Sequence, residues 1–243
     1  NCHQSLWLDE KPEVAYEDFN EWLVNVVEVI NQSSEVDHLI IANAIDNLTP
    51  QLYDFSALGN IDKNKHVYVL LDDSHGLAVV HKNDVSANVS ALASCLHIEL
   101  VIVASLAKGL GTDAGVVLGG KEVISKVKKS PIFMGASPSS PGFIYALVKG
   151  EGVQNEAFDT LQQNIASFKA MLNQHSKFNY VDRFPVFTSI DSNLYRYLCT
   201  NDIVISSFPY PLPSSPLLNR VVISALHTQQ DLQKLTDVLQ RYV

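Results

Sequence analysis

The 243-residue sequence is short of several things, and each scarcity closes off a class of function. Its three cysteines stand at Cys2, Cys95 and Cys199, with no Cys-x-x-Cys pair among them. That odd, scattered usage fits neither a disulfide scaffold nor a zinc ribbon, and it points to a reducing compartment, the cytoplasm. Basic residues are outnumbered, 17 Lys and Arg against 26 Asp and Glu, for a net charge of −9. A nucleic-acid footprint needs the opposite sign. The densest basic run, Lys126 to Lys129, reads as one solvated helix face. No apolar stretch approaches the ~18–20 residues of a membrane span. The opening Asn1-Cys2-His3-Gln4-Ser5 has neither the charged nor the apolar region of a signal peptide. There is no His-Glu-x-x-His and no cysteine pair, so no metal centre is expected. A serine hydrolase is excluded for want of Gly-x-Ser-x-Gly.

What is present is apolar and ordered into runs. With 47% hydrophobic residues, a chain of this length can bury a sizeable core without disulfides or a structural metal. His38–Ile45 (HLIIANAI), Val67–Leu71 (VYVLL) and Ile98–Leu106 (IELVIVASL) lack clean alternation. Continuous runs of that kind suit strands covered on both faces, as in parallel sheets. Phe19, Trp22, Leu23, Val26, Val27 and Ile30 mark an amphipathic helix ahead of them. Alternating helices and strands predict an α/β layered domain. After Ser130 the character changes. A loop is expected over 137–142 (SPSSPG), then a long helix carrying Phe158, Leu161, Ile165, Phe168 and Leu172. Short strands follow over Phe184–Ile190, Asp202–Phe208 and Arg220–Ala225, with a helix over Asn193–Cys199 and a loop over Tyr210–Pro216. Thr228 caps a last helix bearing Leu232, Leu235, Val238 and Leu239.

Three features stand at strand ends, where α/β sheets bind ligands. They are Asp72-Asp73-Ser74-His75-Gly76 after VYVLL, Ser105-Leu106-Ala107-Lys108-Gly109-Leu110-Gly111 after IELVIVA, and Asn43 late in HLIIANAI. Taken singly, each has a bland alternative: a capping Asp, a satisfied His, a solvated Lys. Together they bring a carboxylate, an imidazole, an amine and an amide toward one crevice. A lysine in a Gly-rich turn suits a group held against a ligand by close backbone approach.

DDSHG followed by SLAKGLG resembles the fold-type I pyridoxal 5′-phosphate (PLP) enzymes, specifically the α-oxoamine synthase group within the class I/II aminotransferase superfamily. The ending Arg220-Val-Val-Ile-Ser-Ala-Leu-His227 is similar to that group's Arg-x6-His, and His3-Gln4-Ser5-Leu6 to its His-Ala-Ser-Leu. The resemblance implies a mostly parallel α/β PLP-binding large domain over 1–150. A linking helix and a smaller C-terminal α+β domain would occupy 151–243. It implies that Lys108 is the Schiff-base lysine and proton carrier, that Asp72 contacts the pyridine nitrogen, and that His75 lies near the 3′-oxygen. His3 would stack on the ring, Ser105 would bind the phosphate and Asn43 would lie near the 3′-oxygen. Ser137, in Phe133–Pro138, would reach a neighbouring subunit's phosphate in a homodimer, and Arg220 would hold the amino acid's carboxylate.

The activity implied is a C-acyltransferase condensing an amino acid with an acyl-CoA. An aminotransferase or lyase on the same fold, and a non-catalytic scaffold subunit, are the alternatives. Two departures stand out. Leu77-Ala78-Val79-Val80-His81-Lys82 replaces the group's further glycines after Asp-Asp-Ser-His-Gly, and Ala107 precedes the lysine where serine is common. Members of the group also carry a further stretch ahead of the His3 motif, so the N-terminal part of the usual fold is expected to be absent here.

Overall fold

The three strand runs lie side by side in one sheet, in the same order as in the chain. The computed structural model describes residues 18–172, 177–210 and 212–242. They form two compact units: one comprises residues up to Ile45, Leu52–Leu77 and Val85–Leu147, the other Asp46–Gln51, Ala78–Asp84 and the chain from Val148 on.

The first unit opens with α1 (Phe19–Gln32), started by Asp18, whose carboxylate accepts from the backbone N–H groups of Asn20 and Glu21 at 2.8 and 3.0 Å. That satisfies two donors the first helical turn leaves unpaired. The helix buries Leu23 and Ile30. Next come β1 (Asp37–Asn43) and the two-residue strands β2 (Ile45–Asp46) and β3 (Gln51–Leu52), which pair with each other where the chain passes between units. The central strands are β4 (His66–Asp72) and β5 (Ile98–Ser105). A single helical turn, α2 (Leu106–Gly109), leads into β6 (Gly115–Gly119). Sheet order is β1-β4-β5-β6, with the first three strands parallel and β6 antiparallel to β5. The result is an α/β sheet that is mostly parallel.

Strand alternation sorts the residues onto two faces. Val67, Val69 and Leu71 have no exposed surface and join Ile40, Ala42, Ile98 and Ile102 in one core with Leu23, Ile30, Phe55, Leu58 and Leu92. Each such aliphatic side chain contributes about 1.5–3 kcal/mol on burial. Tyr68, Leu70 and Asp72 alternate with them and are half-buried. Three further helices follow: α3 (Lys121–Lys129), α4 (Pro131–Gly135) and α5 (Pro141–Lys149). None of the three contains a buried residue. The helix over α5 starts inside the segment expected to be a loop, because Pro141 stands at its first position. There the missing N–H costs nothing and the fixed φ is already helical.

In the second unit a 21-residue helix, α6 (Glu151–Met171), packs with a three-stranded antiparallel sheet of order β7-β9-β8: β7 (Val186–Ser189), β8 (Ser206–Pro209) and β9 (Leu217–Val222). Helix α7 (Leu194–Thr200) joins β7 to β8, and α8 (Gln229–Gln240) closes the chain. The core gathers Ile165 and Phe168 of α6, Phe187 of β7, Val221 of β9, and Leu232, Leu235 and Val238 of α8. Phe168 and Phe187 meet edge to face at 4.8 Å between centroids. Thr228 starts α8 with a reciprocal cap: its hydroxyl accepts from the Asp231 N–H while the Asp231 carboxylate accepts from the Thr228 N–H. The strand expected from Asp202 begins only at Ser206, since Asp202 sits at φ 58° in the turn that ends α7. Arg220, expected to open a strand, is instead the fourth residue of β9, whose pairing with β8 starts at Leu217. No helix among the described residues is long and apolar enough to cross a membrane.

Candidate active site

The carboxyl ends of β1, β4 and β5 hold five of the residues singled out in the sequence. Parallel register sets Asn43 beside Asp72, and Asp72 beside Val103, in one row across the sheet. Asn43 and Asp72 therefore share a face, the half-buried one. Asp72 ends β4, and its Oδ1 accepts from the Ser74 N–H at 2.9 Å, an Asx turn that bends the chain away from the strand. That turn carries His75. On the next strand Ser105 ends β5, and α2 lifts Lys108 above the sheet edge. The two meet: Lys108 Nζ lies 2.9 Å from His75 Nε2. Lys108 is exposed and His75 half-buried.

A second contact fixes the two turns to each other. The Ser105 N–H donates to Ser74 Oγ at 2.9 Å, so the His75 turn and the lysine turn are stitched three residues ahead of Lys108. Asp73 points to the opposite face from Asp72 and is completely buried. Its carboxylate accepts from the Ser86 N–H at 2.8 Å and, closely, from the Ser86 hydroxyl. The Asp73 carbonyl accepts from the Gly76 and Leu77 N–H groups at 3.1 and 3.0 Å. Asp73 and Ser74 belong to the strand-end motif but had no role assigned from the sequence, and Ser86 was not among the candidates. Ser86 gave no signal, because it is brought to Asp73 from 13 residues downstream.

The remaining candidates lie elsewhere. Ser137 is exposed in the link between α4 and α5. His3 lies outside the described residues. Arg220 belongs to the second unit, where it lines a hollow of about 540 Å³ together with Ser206, His227 and Asp231. Its Nε is buried and has no hydrogen-bond partner. Burial pushes its guanidinium pKa below the ordinary value, against the pull of the Asp46 carboxylate. Close by in the chain, His227 Nδ1 accepts from the Ser224 N–H at 3.1 Å. Asn164 of α6, buried and unremarked in the sequence, donates to the carbonyls of Ser224 and His227 at 3.0 and 2.8 Å. It holds the turn after β9 that presents His227. Among the described residues no three His, Cys, Asp or Glu side chains cluster as metal ligands would.

A lysine amine lies against an imidazole at the carboxyl edge of a mostly parallel sheet, with a carboxylate one strand away, and the chain is an α/β fold with these polar groups at its strand ends. Solved structures share that fold. Serine palmitoyltransferase from S. paucimobilis, whose structure contains a PLP-myriocin aldimine, superposes with a TM-score of 0.67 at 14% identity, over 90% of this chain and 58% of that one. An 8-amino-7-oxononanoate synthase from Francisella tularensis gives 0.58 at 21%, over 91% and 68%. In sequence, the 8-amino-7-oxononanoate synthase of Thermosipho melanesiensis is 24% identical across 207 residues, 80% of this chain and 52% of that protein. The family model for aminotransferase class I and II matches residues 10–239, and the chain belongs to that family. It spans between 52% and 60% of the length of the curated relatives it matches.

Proposed function

We propose that this chain carries the lysine-bearing site of a cytoplasmic PLP-dependent C-acyltransferase that joins an amino acid to an acyl-CoA. The observation that carries the reading is the 2.9 Å approach of Lys108 Nζ to His75 Nε2 at the strand ends. The donor set fits the cofactor. Lys108 is a primary amine able to condense with an aldehyde, Asp72 is a carboxylate for a protonated ring nitrogen, and Asn43 stands beside it in register. Ser105 and His75 supply a hydroxyl and an imidazole at the same edge, and the ring-stacking role expected of His3 completes the set. When bound, PLP supplies an electron sink for a carbanion next to the substrate nitrogen.

The chain's own residues do the rest. Lys108 Nζ would take and return the proton at the amino acid's α-carbon, and His75 Nε2 would orient that amine. Asp72 would hold a protonated ring nitrogen by its negative charge. Arg220, with its buried and unpartnered Nε, offers a planar fork to the substrate carboxylate, which a lysine cannot do. Residues 1–150 form the cofactor-binding domain in this reading and 151–243 the smaller one. Cys95 and Cys199, both free thiols, suit a reducing compartment.

A homodimer belongs to the same proposal, with Ser137 reaching toward the second copy's site. Ile132, Phe133 and Met134 are 83%, 54% and 74% exposed, and Tyr145 67%, an apolar surface of the kind that marks an interface. An aminotransferase is the second reading, favoured by the family match itself. A scaffold subunit has no use for the Lys108–His75 contact.

Borohydride reduction of the PLP-treated protein, followed by peptide mapping, places the pyridoxyl group on Lys108 if the reading holds. A label on another lysine removes it. Release of free CoA on adding acyl-CoA with glycine, alanine or serine separates the acyltransferase from the aminotransferase, which consumes no thioester.

A further inference from the structure

The residue next to Asp72 is a carboxylate that the proposed chemistry does not use, yet it is buried without any exposed surface. Burying an ionised carboxylate is costly unless strong donors meet it. Asp73 meets two from one residue, the N–H and the hydroxyl of Ser86. Charge-assisted bonds of this kind are about twice as strong as neutral ones. Around that pair the turn is fastened at every point. The Asp73 N–H continues the sheet ladder to the Val103 carbonyl at 2.8 Å, and its carbonyl takes the Gly76 and Leu77 N–H groups. Gly76 closes the lock from above: a Cβ there would collide with Ser86 Oγ and Cβ and with Asp73 Oδ1. His75 is the one residue between Ser74, which is tied to Ser105, and Gly76, which is packed on Asp73 and Ser86. It has little freedom to leave Lys108.

We infer that Asp73 and Ser86 are positioning residues for His75, and through it for the Lys108 amine. The inference rests on the site reading given above and deepens it, assigning the hydroxyl and amide of Ser86 to the control of an amine they do not touch. Asp72 and Asp73 then divide one dipeptide between two tasks. The first faces the ligand side, and the second holds the turn that follows from the opposite side of the sheet.

The test uses the full chain without cofactor, in three readouts. Amide exchange of Gly76 and Leu77 reports the turn. The side-chain 15N shifts of His75, assigned by its loss in His75→Gln, report the imidazole. Competitive acetylation of Lys108 against the other lysines reports the amine. Ser86→Ala removes one charge-assisted bond. It is expected to speed exchange of the two amides about tenfold, to move the His75 shifts toward those of a free imidazole, and to change the rate at which Lys108 is acetylated relative to the other lysines.

Asp73→Asn retains both contacts, its carbonyl accepting from the Ser86 N–H and its amide donating to Ser86 Oγ. It should move each readout in the same direction by less. If Ser86→Ala does not fold, Asp73→Asn decides on its own. Ser90→Ala, further along the same segment, is expected to leave all three unchanged. Faster amide exchange with unaltered His75 shifts and Lys108 reactivity would overturn the inference, since the pair would then support the backbone alone. Unchanged amide exchange would overturn it as well. Failure of PLP to label Lys108 in the unaltered chain is a separate result. It removes the cofactor reading and leaves the positioning to be judged on these cofactor-free measurements.

Discussion

Two stretches of the first unit have similar apolar chemistry and opposite fates. In β4 and β5, Val67, Val69, Leu71 and Ile102 disappear into the core. In α4 and α5, Ile132, Phe133, Met134, Phe143, Ile144 and Tyr145 all remain exposed. The difference lies in what stands opposite. A parallel strand has its lateral neighbours fixed by register, and α1 with the turns at Leu58 and Leu92 covers the face that results. Among the described residues of the unit, helices α3 to α5 have no such cover. Hydrophobicity thus specifies that a residue wants a partner, and topology decides whether its own chain provides one.

That contrast can be broken or sharpened by substitution, beginning with the largest effect. Leu71→Ala, at a position with no exposed surface, should lower the unfolding free energy by about 2–5 kcal/mol in urea titrations. A loss below 1 kcal/mol would mean that the covered face is loosely packed. Asp72→Asn should slow exchange of the substrate α-proton by about 100-fold with PLP still bound, the scale of one lost electrostatic contact. Were Asp73→Asn the more damaging to that exchange, the assignment of the two faces would be reversed.

Smaller effects come from the second unit and from the bare helices. Thr228→Ala breaks the reciprocal cap of α8 and should cost about 1 kcal/mol in thermal unfolding, with the Asp231 N–H left without its side-chain acceptor. The Asp191 carboxyl is held below its ordinary pKa of 3.8, chiefly by the Asn193 N–H and further by Tyr242 and Lys177, against the opposing effect of burial. A depressed carboxyl stabilises the fold above its unfolded pKa, and the contribution is lost as pH falls through the folded value. The Tm difference between the native chain and Asp191→Asn should therefore be present at pH 6 and vanish in strong acid. Smallest of all, Met134→Ala should change the stability of the isolated chain by no more than about 0.5 kcal/mol. Phe133→Asp should leave folding equally untouched and, if the proposed homodimer forms, shift sedimentation to the monomer.

The fold was legible in the sequence where burial is continuous. HLIIANAI, VYVLL and IELVIVASL became β1, β4 and β5, because a strand flanked by parallel neighbours has few polar positions to interrupt the run. The cap at Thr228 could be placed from local chemistry alone, together with its helix, whereas the cap at Asp18 was found only in the structure. Strand β6 could not: Gly115–Gly119 is five residues with a glycine at each end, and only its antiparallel pairing with β5 makes it a strand. In the site, the motif spacing drew attention to Lys108 and His75, and folding brought them together. The Asp73–Ser86 lock and the hold of Asn164 on the Ser224–His227 turn depend on chain reversals that no local pattern encodes. Neither residue of those partnerships is unusual for its type until its neighbour is known.

The seven residues Ala78–Asp84 leave the first unit immediately after the His75 turn and are counted with the second. There the Gln162 side chain donates to the Val79 carbonyl at 2.8 Å, from 83 residues away, and Arg183 Nε donates to the Val80 carbonyl at 2.9 Å, from 103 residues away. During synthesis this loop leaves the ribosome long before its donors exist. At 5–20 residues per second it waits roughly 5 to 20 seconds for them. The β4–β5 ladder lies on either side of the loop in the chain and needs none of the later residues, so it can form while the loop is still open. The second unit is then finished around a segment supplied by the first half of the chain, and a nascent chain halted at residue 148 would hold the strands of the site without the clasp that receives the loop.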